Sequence, residues 1–328
     1  MKKDNLFVIG TPLQLINAIE AIEHFHLKNN ILVLINMSKM LNKEQVDEIR
    51  TLHEWKEVIE IQNGKGLNFF KYFSILRKLR KNSYQKLFVA KLESISMAIV
   101  ANMEKEQVFL LDDGGMTVGI YENYCKNNYR VGYKRKDYRF YMLGLKFKIE
   151  DTIHLFTYYD LEEHNNQVVK NTMKYFKTKY YTSQFIEDEC IYFVGQPVNN
   201  LLSEEVHVAI IKKLIEKKEK KMVYIPHRGE SENHLKHLRS LPKDIFEIKS
   251  VGMPIELYFL KNAIQPKYIF SFFSTALVTL KLIYNTCEVK YIKIPETLEN
   301  KDNFTLALKN YYEHLDAKDI LSLKNLGL

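Results

Sequence analysis

Leu6-Phe7-Val8-Ile9-Gly10-Thr11-Pro12-Leu13-Gln14-Leu15-Ile16-Asn17-Ala18 opens the chain with a change of hydrophobic period. Leu6–Ile9 reads as a strand, Gly10 as the turn out of it, and Pro12 to about His24 as a helix. Thr11 suits the N-cap, and Pro12 the first helical position, where a missing N–H costs nothing. The rhythm then repeats. Strands are predicted at Ile31–Ile35, Val58–Ile61, Leu87–Ala90 and Val108–Leu111, with helices around Lys43–His53, Leu67–Leu79 and Ser94–Asn102.

The second half has the same pattern. Strands are predicted at Ile191–Val194, Met222–Ile225, Ile245–Ile248, Tyr268–Phe270 and Val289–Ile292. Helices fall at Glu204–Lys218, Asn233–Leu238, Ile255–Asn262 and Ala276–Tyr284, and Phe304–His314 and Ala317–Leu323 also read as helical. Strand–helix alternation means parallel sheets covered by helices on both faces. At 328 residues the chain is long for one core. The expected fold is α/β, with two doubly wound domains facing each other, residues 1–185 and 186–328, separated near Tyr180–Glu189.

Composition narrows the function. Hydrophobic residues make up 46% and charged residues 27%, an ordinary globular balance, while the formal net charge of +8 favours an anionic partner. The densest basic run is Lys126–Lys148, where Arg130, Lys134, Arg135, Lys136, Arg139 and Lys146 alternate with tyrosines. It reads as a solvated face, or as a contact to an acidic acceptor or anionic lipid. No nucleic-acid module is recognisable. Cys125, Cys190 and Cys287 are odd in number and far apart, which points to a reducing cytosol. No signal peptide and no apolar run of about 20 residues is present, so membrane contact is expected to be peripheral.

In open parallel sheets ligands bind beyond the carboxyl ends of the strands, and four groups stand there. Asp112-Asp113-Gly114-Gly115 follows Leu110-Leu111, and repulsion with partial burial would raise one carboxyl pKa, as a general base needs. Strand alternation puts the two aspartates on opposite sides, so one should face the ligand. His227-Arg228, after Met222–Ile225, pairs a titratable ring with a fixed charge, a combination suited to phosphate. Ser271-Phe272-Phe273-Ser274-Thr275 opens the helix Ala276–Tyr284, where hydroxyls and free N–H groups suit phosphate and Ser274 also suits N-capping. Glu256, in the first turn after Pro254, could take ribose hydroxyls or simply favour the helix dipole.

Taken in order, these motifs resemble those of the bacterial sialyltransferases with two facing Rossmann-like domains, the GT-B arrangement. Asp112-Asp113-Gly114 is similar to that group's acidic-acidic-Gly motif, His227-Arg228 to its His-Pro motif, and Ser274-Thr275 to its Ser-Ser/Thr motif. The opening Gly10–Ala18 resembles glycosyltransferase family 52, and also the related bacterial polysialyltransferases; Gly195-Gln196-Pro197 fits the same pattern. Arg228 departs from it, standing where the family has proline.

The resemblance implies an inverting single displacement from CMP-sialic acid to a hydroxyl of a cell-surface glycan, capsule or lipooligosaccharide. One of Asp112 and Asp113 would be the base, and His227 would stabilise or protonate the departing CMP phosphate. Arg228, Ser274 and Thr275 would hold that phosphate and Glu256 the ribose, with Gly10, Thr11, Gln14, Gly114, Gly195, Gln196 and Ser271 as further substrate contacts. No cofactor and no metal is expected, because His, hydroxyls and a helix terminus can meet the charge of a leaving monophosphate. Glu187-Asp188-Glu189 reads as linker ahead of a strand. The expected partners are the donor and the glycan acceptor, at the inner face of the cytoplasmic membrane, with no nucleic acid and with a homodimer admissible. The alternatives are transfer of another CMP-nonulosonate, polysialylation, or a non-catalytic protein that binds nucleic acid or membrane through its basic surface.

Overall fold

The computed structural model describes residues 3–35, 40–61, 67–122, 144–146, 148–163, 167–180, 185–198, 201–227, 229–294, 312 and 315–327. Contacts divide the chain into two compact units, Met1–Tyr175 and Phe176–Leu328. The division expected from the sequence, at 185/186, lies ten residues further along the chain.

Unit 1 holds a seven-stranded parallel sheet: β1 (Asp4–Ile9), β2 (Asn30–Ile35), β3 (Glu57–Ile61), β4 (Ser83–Val89), β5 (Glu104–Leu111), β6 (Ile153–Thr157) and β7 (Val168–Lys170). Their order across the sheet is β3-β2-β1-β4-β5-β6-β7. The first helix, α1, runs Pro12–His24 with Thr11 as N-cap, its hydroxyl accepting from Gln14 N. Helices α2 (Met40–Arg50), α3 (Leu67–Leu79), α4 (Ser94–Asn102) and α5 (Met116–Ile120) complete the alternation. Leu6, Leu32, Leu87, Val108 and Leu155 are buried with at most 2% exposure, as strands covered on both faces require. Phe7, Phe88 and Phe109 stack across β1, β4 and β5, with centroids 4.5 and 5.1 Å apart.

Unit 2 holds a six-stranded parallel sheet: β8 (Ile186–Val194), β9 (Met222–Ile225), β10 (Phe246–Ile248), β11 (Ile264–Ser271), β12 (Glu288–Lys293) and β13 (Ile320–Ser322). The strand order is β10-β9-β8-β11-β12-β13. Its helices are α6 (Lys174–Lys179, beginning in the last residues of unit 1), α7 (Glu204–Lys218), α8 (Glu232–Leu238), α9 (Ile255–Lys261), α10 (Ala276–Ile283) and α11 (Leu323–Leu326). Ser203 caps α7, its hydroxyl accepting from Val206 N.

Two expectations are corrected. The helix predicted over Ala317–Leu323 is a 3-10 turn at Ala317–Asp319, followed by β13 and α11. Ile320, Leu321 and Ser322 pair with Tyr291, Ile292 and Lys293, so the open edge of the sheet takes a segment that local spacing assigned to a helix. Glu187-Asp188-Glu189 is not linker but part of β8, where Glu187 and Asp188 pair with Gln265 and Pro266. Asp188 is held there by Cys190 N at 2.8 Å and Tyr192 Oη at 2.7 Å, and Glu189 by Lys220 and Lys267. The helix expected at Phe304–His314 lies outside the described residues, Tyr312 apart, as do Arg228 and the basic run from 126 to 143.

Candidate active site

Strand order in unit 1 reverses at β1, so its topological switch lies between β1 and β4, where a doubly wound sheet leaves a crevice. Gly10 and Thr11 leave β1 there. Gln14 Oε1 accepts from Gly10 N at 2.7 Å, and its Nε2 donates to Asp113 Oδ1 at 2.7 Å. From the end of β4, Lys91 Nζ lies 3.1 Å from Asp113 Oδ2. The structure thus gathers Gly10, Thr11, Gln14 and Asp113 at the switch, and adds Lys91. Lys91 is an isolated lysine in the sequence, and only the parallel pairing of β4 with β5 gives it significance.

The two aspartates diverge as strand alternation predicts. Asp112 is fully buried and turned toward β6: Oδ1 accepts from Thr157 Oγ1 and Oδ2 from Tyr158 N, both at 2.8 Å. Asp113 keeps 17% of its side chain exposed. Behind them, Asn17 Nδ2 donates to the Asp112 carbonyl at 3.1 Å, and Asn171 Nδ2 to Asn17 Oδ1 at 3.2 Å. A buried polar network with its members bonded to one another fixes this loop, and Gly114 supplies the left-handed turn at φ 71°.

Burial pushes the Asp112 carboxyl up to about 7, against the opposing bonds from Tyr158 and Thr157. Between pH ~4, the ordinary carboxyl range, and about 7 the folded chain therefore holds a proton that the unfolded chain has released. Stability from this group is present at low pH and is lost as pH rises through that window. Asp112→Asn removes the titration and keeps both contacts, with Oδ1 accepting from Tyr158 N and Nδ2 donating to Thr157 Oγ1. The stability read from thermal unfolding between pH 4.5 and 8 is expected to fall less steeply in the variant, by about 3 kcal/mol over that range. Equal slopes would exclude the buried proton.

In unit 2 the order reverses at β8, so the switch lies between β8 and β11. Gln196, just past β8, is 9% exposed and its Oε1 accepts from Ser271 Oγ at 3.2 Å and Phe273 N at 2.7 Å. Ser271, fully buried, also donates to the Val194 carbonyl at 2.6 Å. These two predicted contacts therefore tie β8 to the loop after β11. Beyond them, Ser274 Oγ accepts from Ala276 N at 3.3 Å, and Thr275 is the N-cap of α10 without a side-chain cap bond. Glu256 is buried in α9, where Oε1 accepts from Thr279 Oγ1 at 2.6 Å and burial raises its pKa.

His227 is exposed on the turn after β9. Its backbone N donates to Glu230 Oε2 at 2.6 Å, and Glu230 Oε1 accepts from Tyr224 Oη. Burial pushes the Glu230 carboxyl up to about 7. The sequence reading missed Glu230, which sits three residues past the histidine in a charged stretch, with nothing local to single it out. Among the described residues, no group of three or more His, Cys, Asp or Glu side chains is placed to hold a metal ion.

Residues 5–293 match the sequence model of the alpha-2,8-polysialyltransferase (POLYST) family. The chain belongs to that family. The resemblance seen in the motifs therefore holds, and this polysialyltransferase-family chain is a glycosyltransferase. The matched stretch contains Asp112-Asp113-Gly114, His227 and Ser274-Thr275. No curated protein matches the chain.

Solved structures similar to this polysialyltransferase-family chain share its fold. The S. aureus MnaA–UDP structure has a TM-score of 0.54 at 12% identity, over 90% of this chain and 80% of that one. The glycotransferase of kitacinnamycin has a TM-score of 0.52 at 10% identity, over 98% and 86%. A UDP-N-acetylglucosamine 2-epimerase from Listeria monocytogenes has a TM-score of 0.50 at 10% identity, over 83% and 75%. The architecture of two Rossmann-like domains is shared with GT-B glycosyltransferases and with epimerases. No described helix is long and apolar enough to cross a membrane.

Proposed function

We propose that the chain moves sialic acid from CMP-sialic acid onto a hydroxyl of a cell-surface glycan, with inversion and without a metal. The observation that carries the base is the split between the two aspartates. Geometry precedes pKa in choosing a base. Asp112 has no exposed surface, whereas Asp113 keeps part of its side chain exposed at the switch of unit 1, between Gln14 and Lys91. Asp113 takes the proton of the acceptor hydroxyl as that oxygen attacks the anomeric carbon. The anomeric C–O bond breaks with its electron pair on the phosphate. His227 meets that charge, helped by Ser274, Thr275 and Arg228, while Glu256, buried against Thr279, ties α9 to α10 behind them. Asp112 anchors the loop.

The family match favours a polymerising version over a single addition, with an acceptor ending in sialic acid and an α-2,8 linkage in the product. It also sets aside the reading as a non-catalytic binding protein. We place the reaction at the cytoplasmic face of the membrane, where the basic stretch 126–148 would meet acidic glycan or lipid headgroups.

Incubation with CMP-sialic acid and a short α-2,8-linked sialic acid oligomer, read by mass spectrometry, is expected to give a ladder of products. A single added residue would retain transfer and remove polymerisation. Product from UDP- or GDP-sugars and none from the CMP donor would replace the donor. A cheaper check is thermal unfolding with nucleotides. CMP at a hundred times its Kd is expected to stabilise the chain by about 2.7 kcal/mol, with UDP and GDP giving no comparable shift.

A further inference from the structure

Gly195 follows β8, and a Cβ built on it would lie 2.7 Å from Tyr224 Oη, 2.9 Å from Tyr224 Cε1 and closer still to Glu230 Oε2. Nothing but glycine leaves room for that carboxylate against the strand end. From there Glu230 holds His227 by both backbone groups. Its Oε2 accepts from His227 N at 2.6 Å, and its own N donates to the His227 carbonyl at 2.9 Å. The tight turn so formed brings Gly229 N to His227 Nδ1 at 3.0 Å. A backbone N–H can only donate, so Nδ1 carries no hydrogen in this contact and the ring's hydrogen resides on Nε2.

We propose that Glu230 is the positioning residue of His227: it closes the 227–230 turn so that the Gly229 N–H fixes the imidazole as its Nε2–H tautomer and aims that hydrogen at the donor phosphate. The inference rests on the role given to His227 above and sharpens it. A neutral ring held this way acts as a hydrogen-bond donor and not as an acid, because loss of the Nε2 proton would leave an imidazolate. The electron pair of the breaking C–O bond stays on the phosphate oxygen, the acceptor proton ends on the carboxylate, and His227 finishes the step unchanged. Gly195, expected from its motif to touch substrate, has a different part here: its missing side chain admits the latch.

The test uses the full chain with ¹⁵N-labelled histidine, whose ring nitrogens report the tautomer, beside steady-state kinetics with CMP-sialic acid. In the parent chain His227 is expected as the Nε2–H form. Glu230→Ala should give a mixture of tautomers and a kcat lowered roughly 100-fold, with KM for the donor within about threefold. Glu230→Gln keeps an oxygen for the His227 N–H and should retain the tautomer and most of kcat. Gly195→Ala, which displaces the same carboxylate while deleting no polar group, should reproduce Glu230→Ala and serves if that variant does not fold. Glu230→Ala and Gly195→Ala with the parent tautomer and kcat would overturn the proposal. Full transfer by His227→Ala overturns instead the role of His227, and is told apart because the tautomer change in Glu230→Ala persists.

Discussion

Asp113→Ala is expected to lower transfer by roughly 10²- to 10⁴-fold, the usual contribution of a positioned base, with a smaller loss of stability than Asp112→Ala. The side chain and its partner Lys91 are both part-exposed, and only the buried Gln14 amide loses an acceptor. Asp112→Ala should act through the fold instead. It strips Tyr158 N–H and Thr157 O–H of their acceptor in a site with no solvent, at a cost of about 1–3 kcal/mol per orphaned group. The isosteric pair completes the comparison. Asp113→Asn should be as inactive as Asp113→Ala, and Asp112→Asn should retain both fold and transfer. Inactivity in Asp112→Asn beside an active Asp113→Asn would move the base to the buried carboxylate, and full transfer by both would remove it from this loop.

How far these residues could be read from the chain depended on the range of the interaction that defines them. Pro12–His24, Leu67–Leu79, Ser94–Asn102 and Glu204–Lys218 have the bounds predicted; apolar spacing in Leu67–Leu79, and a Thr or Ser cap in Pro12–His24 and Glu204–Lys218, are local signals. Strands β6 and β7 were not predicted. Val168-Val169-Lys170 is too short to show alternation, and Ile153–Thr157 becomes a strand by pairing with Val108–Leu111, some forty residues earlier. The C-terminal edge strand was lost for the same reason, since its partner is thirty residues away.

The site divides along the same line. Asp112-Asp113-Gly114, His227 and Ser274-Thr275 announce themselves by standing at strand ends in a recognisable order. Their neighbours do not. Lys91 matters through a contact 22 residues away in sequence, and Thr157 through one 45 residues away. Glu230 is close in sequence to His227, yet its importance comes from burial against Gly195 and Tyr224, which a charged, polar stretch conceals. Motif residues were legible because the chemistry constrains their type. Supporting residues were not, because only folding supplies their partners.

The second large effect falls on the leaving group. His227→Ala is expected to reduce kcat by roughly 10²- to 10³-fold, the loss seen when one preorganised donor to a developing anion is removed. The fold should be untouched, since the ring is exposed on the turn after β9. The size of the loss and its pH dependence carry separate information. If the ring donates a hydrogen bond from Nε2 and keeps its proton, the deficit of His227→Ala stays constant across the pH range in which the parent ring is neutral. An amide donor should then recover part of the rate, so His227→Asn or His227→Gln should outperform His227→Ala. If the ring instead gives up a proton, the parent rate falls as pH rises through the imidazole titration, the deficit shrinks with it, and no amide restores activity. A kcat profile of the parent and the three variants from pH 5.5 to 9 separates these outcomes, and equal rates for parent and His227→Ala would dissociate the histidine from phosphate departure altogether.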